Sequence, residues 1–159
     1  MEQLKLSKWL KSIAIGIGII GLIIYLIIAP LWGNDLVQGD SARTNWYWPW
    51  LTFIWITGIP CFMGLFEFWK ICAEIGKDNS FSKENVNSFK RISQLFITDS
   101  IVVFIGNVVL FFLNMNYPSI AIIMLFIMFA GITIGVLSAV ISHLVLKAYK
   151  IKEENELTI

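Results

Sequence analysis

Three ionisable side chains stand inside long apolar stretches of this sequence, where an unpaired charge is costly. They are Glu67, Asp99 and His143. Carboxylates and imidazole can relay protons or bind a cation, and an ionisable group within a membrane segment is a functional candidate by default. Together with Asn107 they define a candidate intramembrane polar cluster.

Three interpretations of this cluster are open. The side chains can hydrogen-bond to one another and hold helices in register, or they can form a proton or cation site. They can also line a ligand pocket beside a helix kink at Pro60, since transporters bind substrates at broken helices. One histidine and two carboxylates are a poor zinc set, because catalytic zinc usually takes two or three nitrogen or sulfur ligands. We therefore predict no metal site.

Enzyme motifs give no further candidate. The sequence has no H-E-x-x-H, no G-x-S-x-G and no P-loop lysine. The segment GIGIIG at residues 16–21 has dinucleotide-motif spacing, but it lies within an apolar run with no strand before it. We predict that the protein is not an enzyme, with no catalytic residue and no cofactor.

The elements that position these residues follow from composition. Of 159 residues, 57% are hydrophobic and 14% are charged, with a mean hydropathy of +0.75, more apolar surface than a soluble core can hide. Four stretches reach the roughly 20 residues needed to cross a bilayer. These stretches are 12–31, 47–71, 92–113 and 119–146. We predict an all-α integral membrane four-helix bundle, one domain over 1–159. A net charge of +1 argues against direct nucleic acid binding.

The lysines and arginines predict the orientation. All but one of the 12 lie on one predicted side, and Arg43 lies on the other. Cytoplasmic loops carry the excess of these residues. We therefore predict a multi-pass protein of the cell membrane with both termini, the loop 72–91 and the tail 147–159 in the cytoplasm.

The inner loop contains a polar stretch, NSFSKENVNSFKRI. Ser82 is a good N-cap, so the third helix is expected to start near Lys83, before the membrane. The tail is expected to continue the fourth helix up to Lys152 and to end in an apolar, strand-prone tip that suits strand addition or carboxylate capture. The alternatives are a plain connection and a frayed terminus. The candidate partner-binding residues are Phe81, Lys83, Phe89 and Lys90 in the loop and Glu156, Leu157, Thr158 and Ile159 in the tail.

Two stretches resemble a known family. The loop GKDNSFSKENVNSFKRIS and the ending LKAYKIKEENELTI are similar to the YoaS-like bacterial membrane proteins, a domain-of-unknown-function family. With the four spans, the resemblance covers nearly the whole chain. It implies the fold, and it implies a cytosolic partner such as a small helix-turn-helix regulator, because members are thought to be encoded beside one. It carries no catalytic residue.

Two functions are compatible with these observations. The first is a regulatory or accessory membrane protein that binds a cytosolic partner through the loop and the tail. The alternative is a small transporter or a self-protection (immunity-type) protein that binds a solute, ion or peptide within the membrane. The lipid bilayer is the expected environment, and assembly into a homo-oligomer is open.

Overall fold

In the part that the structure describes, the chain folds into helices joined by short connections. A computed structural model describes residues 2–37, 45–115 and 118–157, without the side chains of Leu36, Glu156 and Leu157. The elements are α1 (Glu2–Ile23), a π-helical segment (Ile24–Ile28), α2 (Ala29–Val37), α3 (Tyr47–Gly76), α4 (Lys83–Phe112) and α5 (Pro118–Leu157). The first three form one continuous helix. Four helices are thus long and apolar enough to span a membrane, and the all-α, four-helix prediction is confirmed.

The π segment lies just before a proline. Its i→i−5 pattern is seen where the Ala29 N–H bonds to the Ile24 carbonyl. The next amide in that pattern would belong to Pro30, which has no N–H and so leaves the Tyr25 carbonyl without a helical donor. The indole Nε1 of Trp55 on α3 donates to that carbonyl at 2.9 Å. A side chain from the neighbouring helix therefore satisfies the backbone group that the proline leaves open.

The helices lie side by side in chain order. Among the described residues, Cα atoms of different spans come within 8 Å only between consecutive spans: the first helix with α3, α3 with α4, and α4 with α5. The Ser7 Oγ donates to the Cys72 carbonyl, and the Ser142 Oγ donates to the Val86 carbonyl. These contacts place α1's start, the 77–82 loop and α5's final third at one end of the layer, which we call the loop end.

Glycines let α5 approach α4 closely. A Cβ on Gly135 would lie 2.7 Å from the Ile97 Cγ1 and 3.3 Å from the Ser93 carbonyl oxygen, and one on Gly131 would lie 2.5 Å from the Ser100 Oγ. The spacing of four residues brings both glycines to the same face, as in small-xxx-small packing. The missing side chains at these two positions therefore allow the close approach of α5 to α4.

Most apolar side chains point outward. In the most apolar window of α5 only 11% of the residues are buried, and Phe126 is 72% exposed. Water would not tolerate this surface, whereas lipid tails would, so the exterior is that of a protein embedded in a bilayer.

The start of α4 agrees with the prediction, and the end of α5 does not. Helix α4 begins at Lys83 with Ser82 as its N-cap, as predicted, and the Asn85 amide donates to the Ser82 Oγ at 3.2 Å. Helix α5 continues to Leu157, past the expected end at Lys152. Residues 153–157 hold good helix formers and no glycine or proline, so nothing stops the helix there. The predicted strand-prone tip is therefore wrong at Leu157, which is helical. Thr158 and Ile159 lie outside the described residues.

Candidate functional site

Glu67 is the most densely paired of the predicted site residues. Glu67 as a whole is 7% exposed. Its carboxylate accepts hydrogen bonds from the Lys70 Nζ at 2.7 Å, the Ser88 Oγ at 2.9 Å and the Arg91 Nη1 at 3.2 Å. Two of these partners come from α4, so Glu67 joins α3 to α4 near the loop end. A carboxylate already surrounded by three donors is a poor acceptor for a transported cation or proton.

Asp99 lies farther from the loop end than Glu67. The residues around it were not grouped together from the sequence. Asp99 is close enough to Tyr25 and Cys61 to interact with both electrostatically, and the Tyr25 side chain lies beside Cys61 and Thr57. Thr57 and Cys61 could have been found from the sequence, because their spacing of four residues puts both on one face of the second span. Nothing in the sequence marks Tyr25 as part of a polar site, because an aromatic residue in an apolar run is usually interpreted as facing lipid or packing against another helix.

Asn107 and His143 belong to neither group. The Asn107 Nδ2 donates to the Ala121 carbonyl at 3.2 Å and so links α4 to α5. The His143 side chain is exposed on α5. Since Ser142 bonds at the level of Val86, His143 is separated from the level of Asp99 by 13 residues of α4, roughly 20 Å at 1.5 Å per residue.

The predicted cluster of Glu67, Asp99, Asn107 and His143 therefore does not assemble. The four residues lie on different faces or at different depths of the layer, because α5 packs on α4 and not on α3 in the described structure. We also expected His143, as a member of this cluster, to face the other helices, and its exposure on α5 corrects that expectation. Among the described residues, no group of three or more His, Cys, Asp or Glu side chains could hold a metal ion.

A groove runs along one side of α3, between the first helix and α4. Its volume is about 880 Å³, and it extends beside Pro60, where a pocket was one of the open interpretations. Its walls are mostly apolar, and its two charged side chains, Glu67 and Arg91, lie toward the loop end. The lining residues are Leu22, Tyr25, Leu26, Trp55, Gly58, Ile59, Pro60, Phe62, Met63, Phe66, Glu67, Arg91, Gln94, Leu95 and Thr98.

The loop 77–82 is held in place by side-chain hydrogen bonds at both of its ends. Glu74 accepts from the Lys77 Nζ at 2.7 Å and from the Asn79 Nδ2 at 2.9 Å. At the other end, the buried Asn85 donates through Nδ2 to the Ser80 carbonyl at 2.9 Å. Asp78 adopts a positive φ of 59°, which closes the turn. The ion pair with Glu74 raises the pKa of Lys77 above its ordinary value.

The predicted partner-binding residues are only partly described. Phe81 is 54% exposed in this loop, just before the N-cap of α4, Lys83 and Lys90 are exposed, and Phe89 is half-buried. The side chains of Glu156 and Leu157, and all of Thr158 and Ile159, lie outside the described part of the chain. The helical backbone at 156–157 extends beyond the loop.

The fold and the polar contacts define the class: an α-helical membrane protein of four spans, joined by polar side chains at consecutive helix interfaces. The chain belongs to the family described as "Protein of unknown function (DUF2975)", whose model matches residues 31–159. It is 32% identical over 151 residues to "Uncharacterized membrane protein YoaS" of Bacillus subtilis (strain 168), covering 92% of each chain. The predicted family is confirmed. No solved structure matches the chain.

Proposed function

We propose that this protein is an accessory or regulatory membrane protein that binds a cytosolic partner at its loop end. The observation that carries the proposal is Phe81, a large aromatic side chain that is 54% exposed on a loop held by hydrogen bonds at both ends. Aromatic residues presented in this way are typical of binding hot spots. The proposal includes the orientation in which the loop end faces the cytoplasm, which the lysine and arginine distribution supports.

The hydrogen bonds around the loop support binding because they lower its entropic cost. Asn79 in the loop donates to Glu74 at the end of α3, and Asn85 at the start of α4 donates to the Ser80 carbonyl in the loop. The loop conformation is therefore set before a partner arrives. Ordering a flexible loop costs free energy on association, and a preorganised loop avoids much of that cost. The exposed cations Lys83 and Lys90 favour a partner with an acidic surface.

The long helix α5 supports a second contact with the same partner. At 40 residues it is roughly 60 Å long, twice the roughly 30 Å hydrocarbon core. Because Ser142 lies beside Val86 at the start of α4, the residues after about 146 extend past the loop. A partner resting on the loop would meet this helix. The small helix-turn-helix regulator implied by the family resemblance is the partner that we propose.

Co-purification from native membranes tests the proposal. The tagged full chain is expressed with the helix-turn-helix regulator, and the retained regulator is measured for Phe81→Ala and for the control Phe112→Ala, which removes a side chain that is 78% exposed on the span. Burying a phenylalanine is worth about 1.5–3 kcal/mol, so Phe81→Ala should weaken binding about tenfold or more. Equal retention by both variants would refute the role of the loop.

A truncation separates the loop from the helical tail. Deleting 153–159 should leave insertion and accumulation normal but reduce co-purification, because it removes the end of α5 that projects past the loop. If the truncated chain retains the regulator fully while Phe81→Ala does not, the loop alone binds the partner.

The groove favours a second candidate, a transporter or immunity-type protein that binds a solute or peptide in the membrane. Its 880 Å³ would hold a small molecule. However, the groove is mostly apolar and its only carboxylate, Glu67, is already paired with three donors. Uptake in vesicles that Glu67→Gln abolishes, while the protein stays folded, would favour this candidate over the regulator.

A further inference from the structure

The groove along α3 is apolar along most of its length and charged at one end. Its α3 wall runs from Trp55 to Glu67, 12 residues or roughly 18 Å of helix. One leaflet of a bilayer holds about 15 Å of hydrocarbon, half of the core. The groove therefore matches the depth of a single leaflet, with its charged end toward the loop end.

We propose that this groove is a binding site for an anionic phospholipid, with an acyl chain along α3 and the headgroup phosphate at Arg91. The proposal is independent of the cytosolic partner, since it concerns the flank of the helices and not the loop.

The charges at the end of the groove favour an anion. The single carboxylate of Glu67 is paired with two cations, Lys70 and Arg91, so the three side chains carry a net positive charge of about one. Arg91 uses only Nη1 toward Glu67, and its side chain is 63% exposed. Its other N–H groups can bind phosphate oxygens in the bidentate geometry that guanidinium favours. Gln94 and Thr98 add polar groups beside it.

The walls favour a chain over a rigid ligand or a helix. Ile59 and Met63 line the groove and are 59% and 51% exposed, so their apolar surface is open toward the lipid. Trp55, Phe66 and Leu26 also line it with exposed apolar surface. Bulky side chains at these positions keep a second helix from the close backbone approach that membrane helix pairs use, whereas an acyl chain can fit between them.

Native mass spectrometry of the purified full chain tests the headgroup. Phosphatidylglycerol and phosphatidylcholine are titrated separately, and retained lipid adducts are counted. We expect phosphatidylglycerol to bind about tenfold more tightly, and Arg91→Gln to reduce its binding to the level of phosphatidylcholine. The matched control is Lys90→Gln, which removes the same charge from an exposed neighbour that does not line the groove. An equal loss in both variants would mean surface charge only and would overturn the site.

A second pair of variants tests the acyl chain. Ile59→Trp adds bulk inside the groove, and Ile105→Trp adds the same bulk at an equally exposed position outside it. Only Ile59→Trp should reduce retention of both lipids. If Arg91→Gln does not fold, Arg91→Lys keeps the ion pair with Glu67 and should lower the preference for phosphatidylglycerol by losing the bidentate contact. Dimers in place of lipid adducts would show that a second copy fills the groove, and would also overturn the proposal.

Discussion

The bond between Trp55 and the Tyr25 carbonyl allows a sharp test of why the first helix has a π segment. Replacing Trp55 with Phe removes the indole N–H and keeps an aromatic ring. The Tyr25 carbonyl then has no helical donor, because Pro30 occupies the position that would supply one. The substitution therefore leaves one backbone acceptor unpaired within the span.

The expected cost is about 1 kcal/mol. A buried acceptor left unsatisfied costs about 1–3 kcal/mol in soluble proteins, and hydrogen bonds between membrane helices average about 0.6 kcal/mol. The bond is at the exposed edge of the groove, which argues for the lower part of the range. The loss should be seen as a lower free energy of unfolding in mixed micelles, titrated with a denaturing detergent.

A double-mutant cycle with Pro30→Ala decides whether the carbonyl is the cause. Alanine restores an N–H at this position, so the Tyr25 carbonyl no longer depends on Trp55, and Trp55→Phe should then cost close to nothing. Trp9→Phe is the control for general effects, since that ring is 72% exposed. An equal loss for Trp55→Phe in the Pro30 chain and in the Pro30→Ala chain would refute the reasoning, because ring packing would then explain the whole effect.

Two further predictions concern orientation and packing. A cysteine at Gly39 should be labelled by an impermeant reagent in intact cells, whereas a cysteine at Asn79 should not; labelling at Asn79 would reverse the orientation. Gly135→Ala should cost about 1–3 kcal/mol, because its Cβ would lie 2.7 Å from Ile97. Gly16→Ala, with nothing within 4 Å, should be neutral or slightly stabilising, and similar melting of both variants would contradict the packing argument.

The sequence predicted the spans well and their arrangement poorly. Apolar length alone marks a membrane helix, and Ser82 marked the start of α4 because capping is local chemistry. Which helices are neighbours is not local. The spans are apolar nearly all round, so hydropathy does not separate a face that meets lipid from one that meets another helix.

In the candidate site, too, local features were predicted well and contacts between helices poorly. Glu67 is buried and paired as an ionisable membrane residue should be, and its α4 partners could have been guessed from antiparallel neighbours. The prediction for His143 was wrong because the predicted cluster required α5 to contact α3. The contact between Trp55 and Tyr25 depends on a proline, a π turn and a neighbouring helix together, and no single stretch of sequence contains all three.

The side-by-side packing of the helices has a consequence for how the chain assembles. Because each described span packs only on the spans next to it in sequence, every helix after the first finds its docking surface already in the membrane when it leaves the ribosome. No helix after the first must wait for a later one before it can dock. The free energy of folding is then close to a sum of three pairwise terms, as in repeat proteins. We expect the first helix to detach under mild detergent stress while the contact between α4 and α5 persists.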